Sequence, residues 1–242
     1  PAVLRVRQLP VPSIEPGEGQ LPTLQVDETV LGTDASADFS GAFSSSYGED
    51  GPGSISYSLT VSGPDGVDSG LVDSASGNAI LLYKEGDQIV GRVGGPAGAT
   101  SFTVTVNAAT GVVTLDQQLA IQHSPDSGPN QASDTLTASL IQLSGTITDK
   151  DGDSSTASLD IGDRISFLDD APSISVGAGS VASLVVDETT LGSDAQGNYS
   201  GNFTGNYGAD GAGSITYSLT SATDGTDSGL QDTASGNAVL LY

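Results

Sequence analysis

Cysteine, methionine and tryptophan are all absent from these 242 residues. Without thiols there is no disulfide framework, no thiolate nucleophile and no Cys-ligated metal, so stability must come from core packing or from a cation held by oxygen. The absence does not point to the cytosol, because secreted bacterial proteins can also be free of cysteine. Basic residues are nearly missing as well: six Lys plus Arg stand against 30 Asp plus Glu, for a formal charge of −24. Such a field repels phosphate, which disfavours nucleic-acid binding and adsorption to anionic lipid and makes divalent cations the natural partners. No apolar run approaches the ~20 residues of a membrane helix, so no membrane insertion is expected. No window carries a helical apolar stripe with caps either, which leaves strands as the expected element.

What the chain does contain is a copy of itself. DETVLGTDASADFSGAFSSSYGEDGPGSISYSL at 27–59 returns 160 residues later at 187–219 with 20 of 33 positions identical, and 68–83 returns at 227–242 with 13 of 16 identical. A period this long exceeds the ~20 to 50 residues of solenoid units and indicates tandem copies of a domain with its own core. Head-to-tail duplication supplies length or valency more readily than catalysis, so a non-enzymatic role is expected. Because the chain opens on Pro1 and the second copy stops at Tyr242 partway through the pattern, a fragment of something longer is expected.

Short alternating runs argue against disorder despite the abundant Gly, Ser, Thr and Asp. Ile55, Tyr57, Leu59 and Val61 alternate with Ser and Thr. Phe102, Val104 and Val106, then Val113 and Leu115 beyond the turn AATG, predict a hairpin with Gly111 at positive φ. Leu136, Leu140, Leu143 and Ile147, and then Leu159, Ile161, Ile165 and Phe167, read as further strands. Polar and glycine punctuation at short intervals predicts an all-β fold, a tandem array of antiparallel β-sandwiches. Pro-Ser-Ile recurs at 12–14 and 172–174, placing a proline-stiffened linker before each copy. The expected division is 1–11 as the end of an upstream domain, with Val6 in its last strand, or linker; 12–170 as a complete repeat; and 171–242 as the N-terminal half of a second.

The densest carboxylate cluster is DKDGD, in which Asp149, Asp151 and Asp153 alternate around a glycine turn. That spacing turns oxygens to one concave side, as a loop wrapping Ca²⁺ requires. In an EF-hand frame these would be positions one, three and five, with Asp160 at twelve, but Ser154 replaces the required glycine and the flanks read as strands. A β-hairpin calcium loop is the surviving reading, beside an acidic turn with no ion. Asp163, Asp169, Asp170, Asp187 and Glu188 add carboxylates around the linker, predicting a junction stiffened by calcium. The earlier linker has Leu9 and Pro10 where this one has the Asp pair.

GTITDKDGDSSTASLDIGDRISFLDDAPSI, with VDETVLG, DSASGNAILLY and TVNAATGVVTLDQ, resembles the tandem repeats of giant RTX-type bacterial adhesins exported by type I secretion. The resemblance runs from about Pro12 onward. It implies Ig-like or cadherin-like β-sandwich extender domains, often with calcium at their junctions, that project a ligand-binding end from the bacterial surface in adhesion and biofilm formation. Partners implied are calcium, neighbouring repeats of the same chain and, through regions outside these residues, host or surface glycans. The nonapeptide repeats that name the RTX family are not seen here.

The alternative function is a glycan- or protein-binding module using the loops at 65–73 and 224–232. Carboxylate pairs leave a glycosidase open, although a sugar cleft ordinarily carries aromatic platforms and Trp is absent. His123, the single histidine, sits in a polar loop without a nucleophile, and is expected on the surface. The recurring Tyr47, Tyr57 and Tyr83 are expected in the core or at its edge.

Overall fold

The computed structural model describes residues 11–123, 133–221 and 223–242. The expectations resting on Val6, Leu9 and Pro10 lie outside the described residues, as does 124–132 of the loop after His123. By compactness the chain divides into two units, Pro1–Gly211 and Ala212–Tyr242. The first unit carries, in chain order, β1 (Ser13–Pro16), β2 (Leu24–Asp27), β3 (Ala35–Asp38), β4 (Phe43–Ser46), β5 (Pro52–Val61), β6 (Val67–Val72), β7 (Ala79–Glu85), β8 (Gln88–Val93), β9 (Thr100–Val106), β10 (Val112–Gln117), β11 (Ser133–Thr135), β12 (Ile141–Asp149), β13 (Ser154–Asp160), β14 (Ile165–Leu168), β15 (Ser173–Val176) and β16 (Phe203–Asn206). The second carries β17 (Thr226–Gln231) and β18 (Ala238–Leu241). Among the described residues there is no α-helix. The protein is all-β.

A six-stranded antiparallel sheet runs β3-β10-β9-β8-β7-β6, and three-stranded sheets run β13-β12-β5 and β11-β14-β2. Within the last, β14 and β2 pair in parallel. The predicted hairpin is β9–β10, with Gly111 at φ 73°. Alternation decides which side of each strand is buried: along β12, Ile141, Leu143, Ile147 and Asp149 turn inward while Gln142, Ser144, Thr146 and Thr148 lie between. On the outer side Thr146 and Thr156 hydroxyls meet at 2.8 Å, and those of Ser144 and Ser158 at 2.7 Å, the polar cross-strand pairs that suit a solvated face.

The sheets close over one core containing Leu59 and Leu143, Leu82, Ile89, Phe102 and Val104, and Leu24 and Phe167. Each fully buried side chain of this kind contributes about 1.5–3 kcal/mol. Phe102 and Phe167 meet with ring centroids 5.1 Å apart. Phe102 also lies over Gly91, its partner across the β8–β9 ladder, where a Cβ would stand 2.5 Å from the ring. Tyr57 is buried, as expected.

The second copy repeats the local structure of the first. β15–β16 pairs Ser173 with Asn206 as β1–β4 pairs Ser13 with Ser46, and β17–β18 pairs Thr226 with Leu241 as β6–β7 pairs Val67 with Leu82. Its burial differs. Leu59 is 1 % exposed and its counterpart Leu219 103 %. Residues 213–220 carry the alternation of β5 and form no strand. Alternation supplies a buried face only where a partner sheet exists to cover it.

Candidate metal centres

Among the described residues, three groups of side chains able to hold a metal converge in the first unit, each with ligand atoms within 4.8 Å of one another: Asp50, Asp149 and Asp151; Asp169, Asp170 and Asp210; and Glu28, His123 and Asp169. Oxygens sharing one Ca²⁺ at 2.3–2.6 Å lie no more than about 5 Å apart, so both all-carboxylate groups have the span a calcium ion needs.

The first group is built by the β12–β13 hairpin. Asp149 ends β12 and is 4 % exposed. Its Oδ1 accepts from the backbone N–H groups of Gly152 at 3.1 Å and Asp153 at 2.8 Å, which closes the turn. Its Oδ2 is buried with no hydrogen-bond partner. Asp50 arrives from the other side because β5 pairs with β12, with Asp149 opposite Pro52 at an irregularity in the ladder. Gly53 makes this approach possible, since a Cβ there would lie 2.2 Å from the Thr148 carbonyl oxygen. The Asp151 carboxyl is held above the ordinary aspartate range, chiefly by the closeness of the Asp149 side chain, then by desolvation, then by repulsion from Asp149, Asp50 and Asp153. Carboxylates gathered this closely repel one another, the more so where Asp149 is buried. A divalent cation would offset that repulsion.

The second group spans the linker between copies. Asp170 Oδ2 accepts from the backbone N–H of Ala209 at 2.9 Å. Gly208, at φ 76°, admits that approach, since a Cβ would lie 2.4 Å from Asp170 Oδ2. Asp169 Oδ1 and Asp170 Oδ1 are both buried and without hydrogen bonds. Asp169 is held above its usual range, first by desolvation, with Asp210, Glu28 and Asp170 adding repulsion against the opposing pull of His123.

Glu28, 2 % exposed, follows β2 in a 3-10 turn capped by Asp27. Its Oε1 accepts from Gln117 Nε2 at 2.7 Å and from the Ile121 backbone N–H at 2.9 Å, and lies 3.4 Å from His123 Nε2. His123 is not the surface residue its polar loop suggests. Its side chain is 3 % exposed, and Nδ1 lies 2.9 Å from Asp134 Oδ2. Burial opposes a charge on the imidazole, but Glu28, Asp169 and Asp134 outweigh it and raise its pKa.

The residue pattern and the residues matched by comparison coincide. A family described as a domain of unknown function (DUF5801) matches residues 23–162 and again 183–242. The chain belongs to this family. The two DUF5801 matches start 160 residues apart, the offset of the internal repeat. No curated protein and no solved structure matches the chain.

Of the carboxylates singled out in this DUF5801 chain, Asp149 and Asp151 come together in one group and Asp169 and Asp170 in another. Asp153, Asp163, Asp187 and Glu188 belong to none of the three groups. Asp153 contributes backbone to the turn, Asp163 lies 3.0 Å from Arg164, and Asp187 caps its own 3-10 turn by accepting from the Thr189 N–H at 2.8 Å. Glu188 is exposed. Asp160, twelfth in the EF-hand frame, is taken up by the Ser139 and Gly162 N–H groups at 2.6 and 2.9 Å. Asp50, Asp210, Glu28 and His123 were missed. The repeat carried a signal for three of them: Asp50 and Asp210 are one position in two copies, and so are Glu28 and Glu188. His123 had none.

Proposed function

We propose that this chain is a non-enzymatic extender region of a secreted or surface-anchored bacterial adhesin, its repeats joined through calcium, serving cell adhesion and biofilm formation by reach. The observation that carries the reading is the convergence of Asp169 and Asp170, at the end of one copy, with Asp210 of the next. Carboxylates brought together across a linker hold it in one geometry when a cation neutralises them and push it apart otherwise. The all-β repeat and the charge of −24 support an extracellular setting, where millimolar calcium suits sites of ~0.1 to 1 mM affinity. The loops of the alternative, binding-module reading use their acids internally: Asp73 accepts from Ser76 N and Oγ at 2.8 and 2.5 Å, and Asp68 from the Gly70 N–H at 2.9 Å.

The test is a protein carrying two whole repeats, followed by small-angle scattering with calcium and with chelator. Calcium should lengthen and sharpen the distance distribution, and Asp169→Ala with Asp170→Ala or Asp210→Ala should abolish the effect. Identical profiles in all states would make the linker a passive spacer.

A further inference from the structure

We propose that Glu28, His123 and Asp169 form a buried site for a transition-metal dication of the zinc class, which shares Asp169 with the linker group but differs from both all-carboxylate groups in its imidazole donor. The three residues follow β2, the β10 segment and β14, and are brought together only by the fold. The donor set decides the class of ion. Imidazole nitrogen with two carboxylates suits zinc and its neighbours, whereas Ca²⁺ and Mg²⁺ prefer oxygen alone.

The separation of His123 Nε2 from Glu28 Oε1, 3.4 Å, is long for a hydrogen bond. It matches the ~3.3 Å edge of a tetrahedron with bonds of ~2.0–2.1 Å. The group is also electrostatically unfinished. Glu28 Oε2 is buried with no hydrogen-bond partner on a side chain 0 % exposed, and Asp169 Oδ1 is buried and unpartnered too. Gln117 Nε2 and the Ile121 N–H hold Glu28 Oε1, and Asp134 Oδ2 lies 2.9 Å from His123 Nδ1 without closing a hydrogen bond. A carboxylate beside the non-ligating imidazole nitrogen is the usual outer partner of a metal-bound histidine. Glu28, Asp134 and Asp169 bring three negative charges against one imidazole. A proton leaves two of them uncompensated, and a dication leaves one. Such an ion would tie three distant segments together at the base of the linker.

Because His123 is the only histidine, its imidazole resonances report on the site without any substitution. The full 242-residue chain would be stripped of metal, supplied with about 5 mM calcium to fill sites of millimolar affinity, and titrated with zinc while these resonances are followed. A saturable shift complete near one equivalent is expected, together with loss of at least ~10-fold in zinc affinity by calorimetry in Glu28→Gln and His123→Ala but not in Asp151→Asn. An imidazole unmoved by excess zinc, one moved equally by calcium alone, or zinc affinity unchanged in a folded His123→Ala would each overturn the proposal. Calcium at the linker is read separately through Asp210→Ala, so failure of one assignment leaves the other standing.

Discussion

At the scale of single residues, the two oxygens of Asp149 have separate tasks. Oδ1 closes the hairpin turn and Oδ2 is buried without a hydrogen-bond partner. Asp149→Asn should keep the turn through its amide oxygen but remove the calcium-dependent rise in melting temperature, while Asp153→Asn should retain that rise; thermal melts with and without chelator check both. The Glu85–Arg92 pair is held by two contacts, Nε to Oε1 at 2.5 Å and NH2 to Oε2 at 2.8 Å. That pairing lowers the Glu85 pKa, mainly through the hydrogen bonds from Arg92. A depressed carboxyl contributes stability above its unfolded pKa and loses it as pH falls through the folded one. The melting-temperature gap between wild type and Glu85→Gln should therefore be small, steady above about pH 5, and close on further acidification.

At the scale of elements, two glycines let backbone and rings approach where any side chain would intrude. Gly53→Ala would drive a Cβ against the Thr148 carbonyl, forcing β5 from β12 beside Asp149. Stability should fall by about 1–3 kcal/mol, and the calcium response should weaken with it, as denaturant melts with and without calcium would show. Phe102→Ala removes a fully buried ring that touches Phe167 and covers Gly91. A loss of about 3–5 kcal/mol in the denaturation midpoint analysis is expected, with no specific effect on metal binding. The strands themselves were legible because alternation is a local signal: β5, β9 and β10 fall where the apolar period of two places them, whereas β12 begins at Ile141, after the Leu140 that the sequence pattern places in a strand.

For the whole molecule, the repeat makes Asp50 and Asp210 a single position seen in two settings. In the first copy it faces Asp149 and Asp151; in the second it faces Asp169 and Asp170. A protein joining two whole repeats should therefore bind calcium more tightly per repeat than an isolated repeat, because Asp169 and Asp170 meet Asp210 only when the two copies are joined. Calorimetric titration of one- and two-repeat proteins tests this, and equal affinity per repeat would contradict it.

Composition, alternation and the 160-residue period were enough to establish an all-β chain of tandem copies, since each is carried by neighbouring residues or by self-comparison. They also picked out Asp149 with Asp151, and Asp169 with Asp170, because these acids are adjacent or nearly so in sequence. Only the tertiary structure brought Asp50 to Asp149 across 99 residues through the β5–β12 ladder, and Glu28 to His123 across 95. Period and spacing are local properties of a chain, whereas a cluster of carboxylates and imidazole drawn from three segments exists only after long-range strand pairing has closed the core.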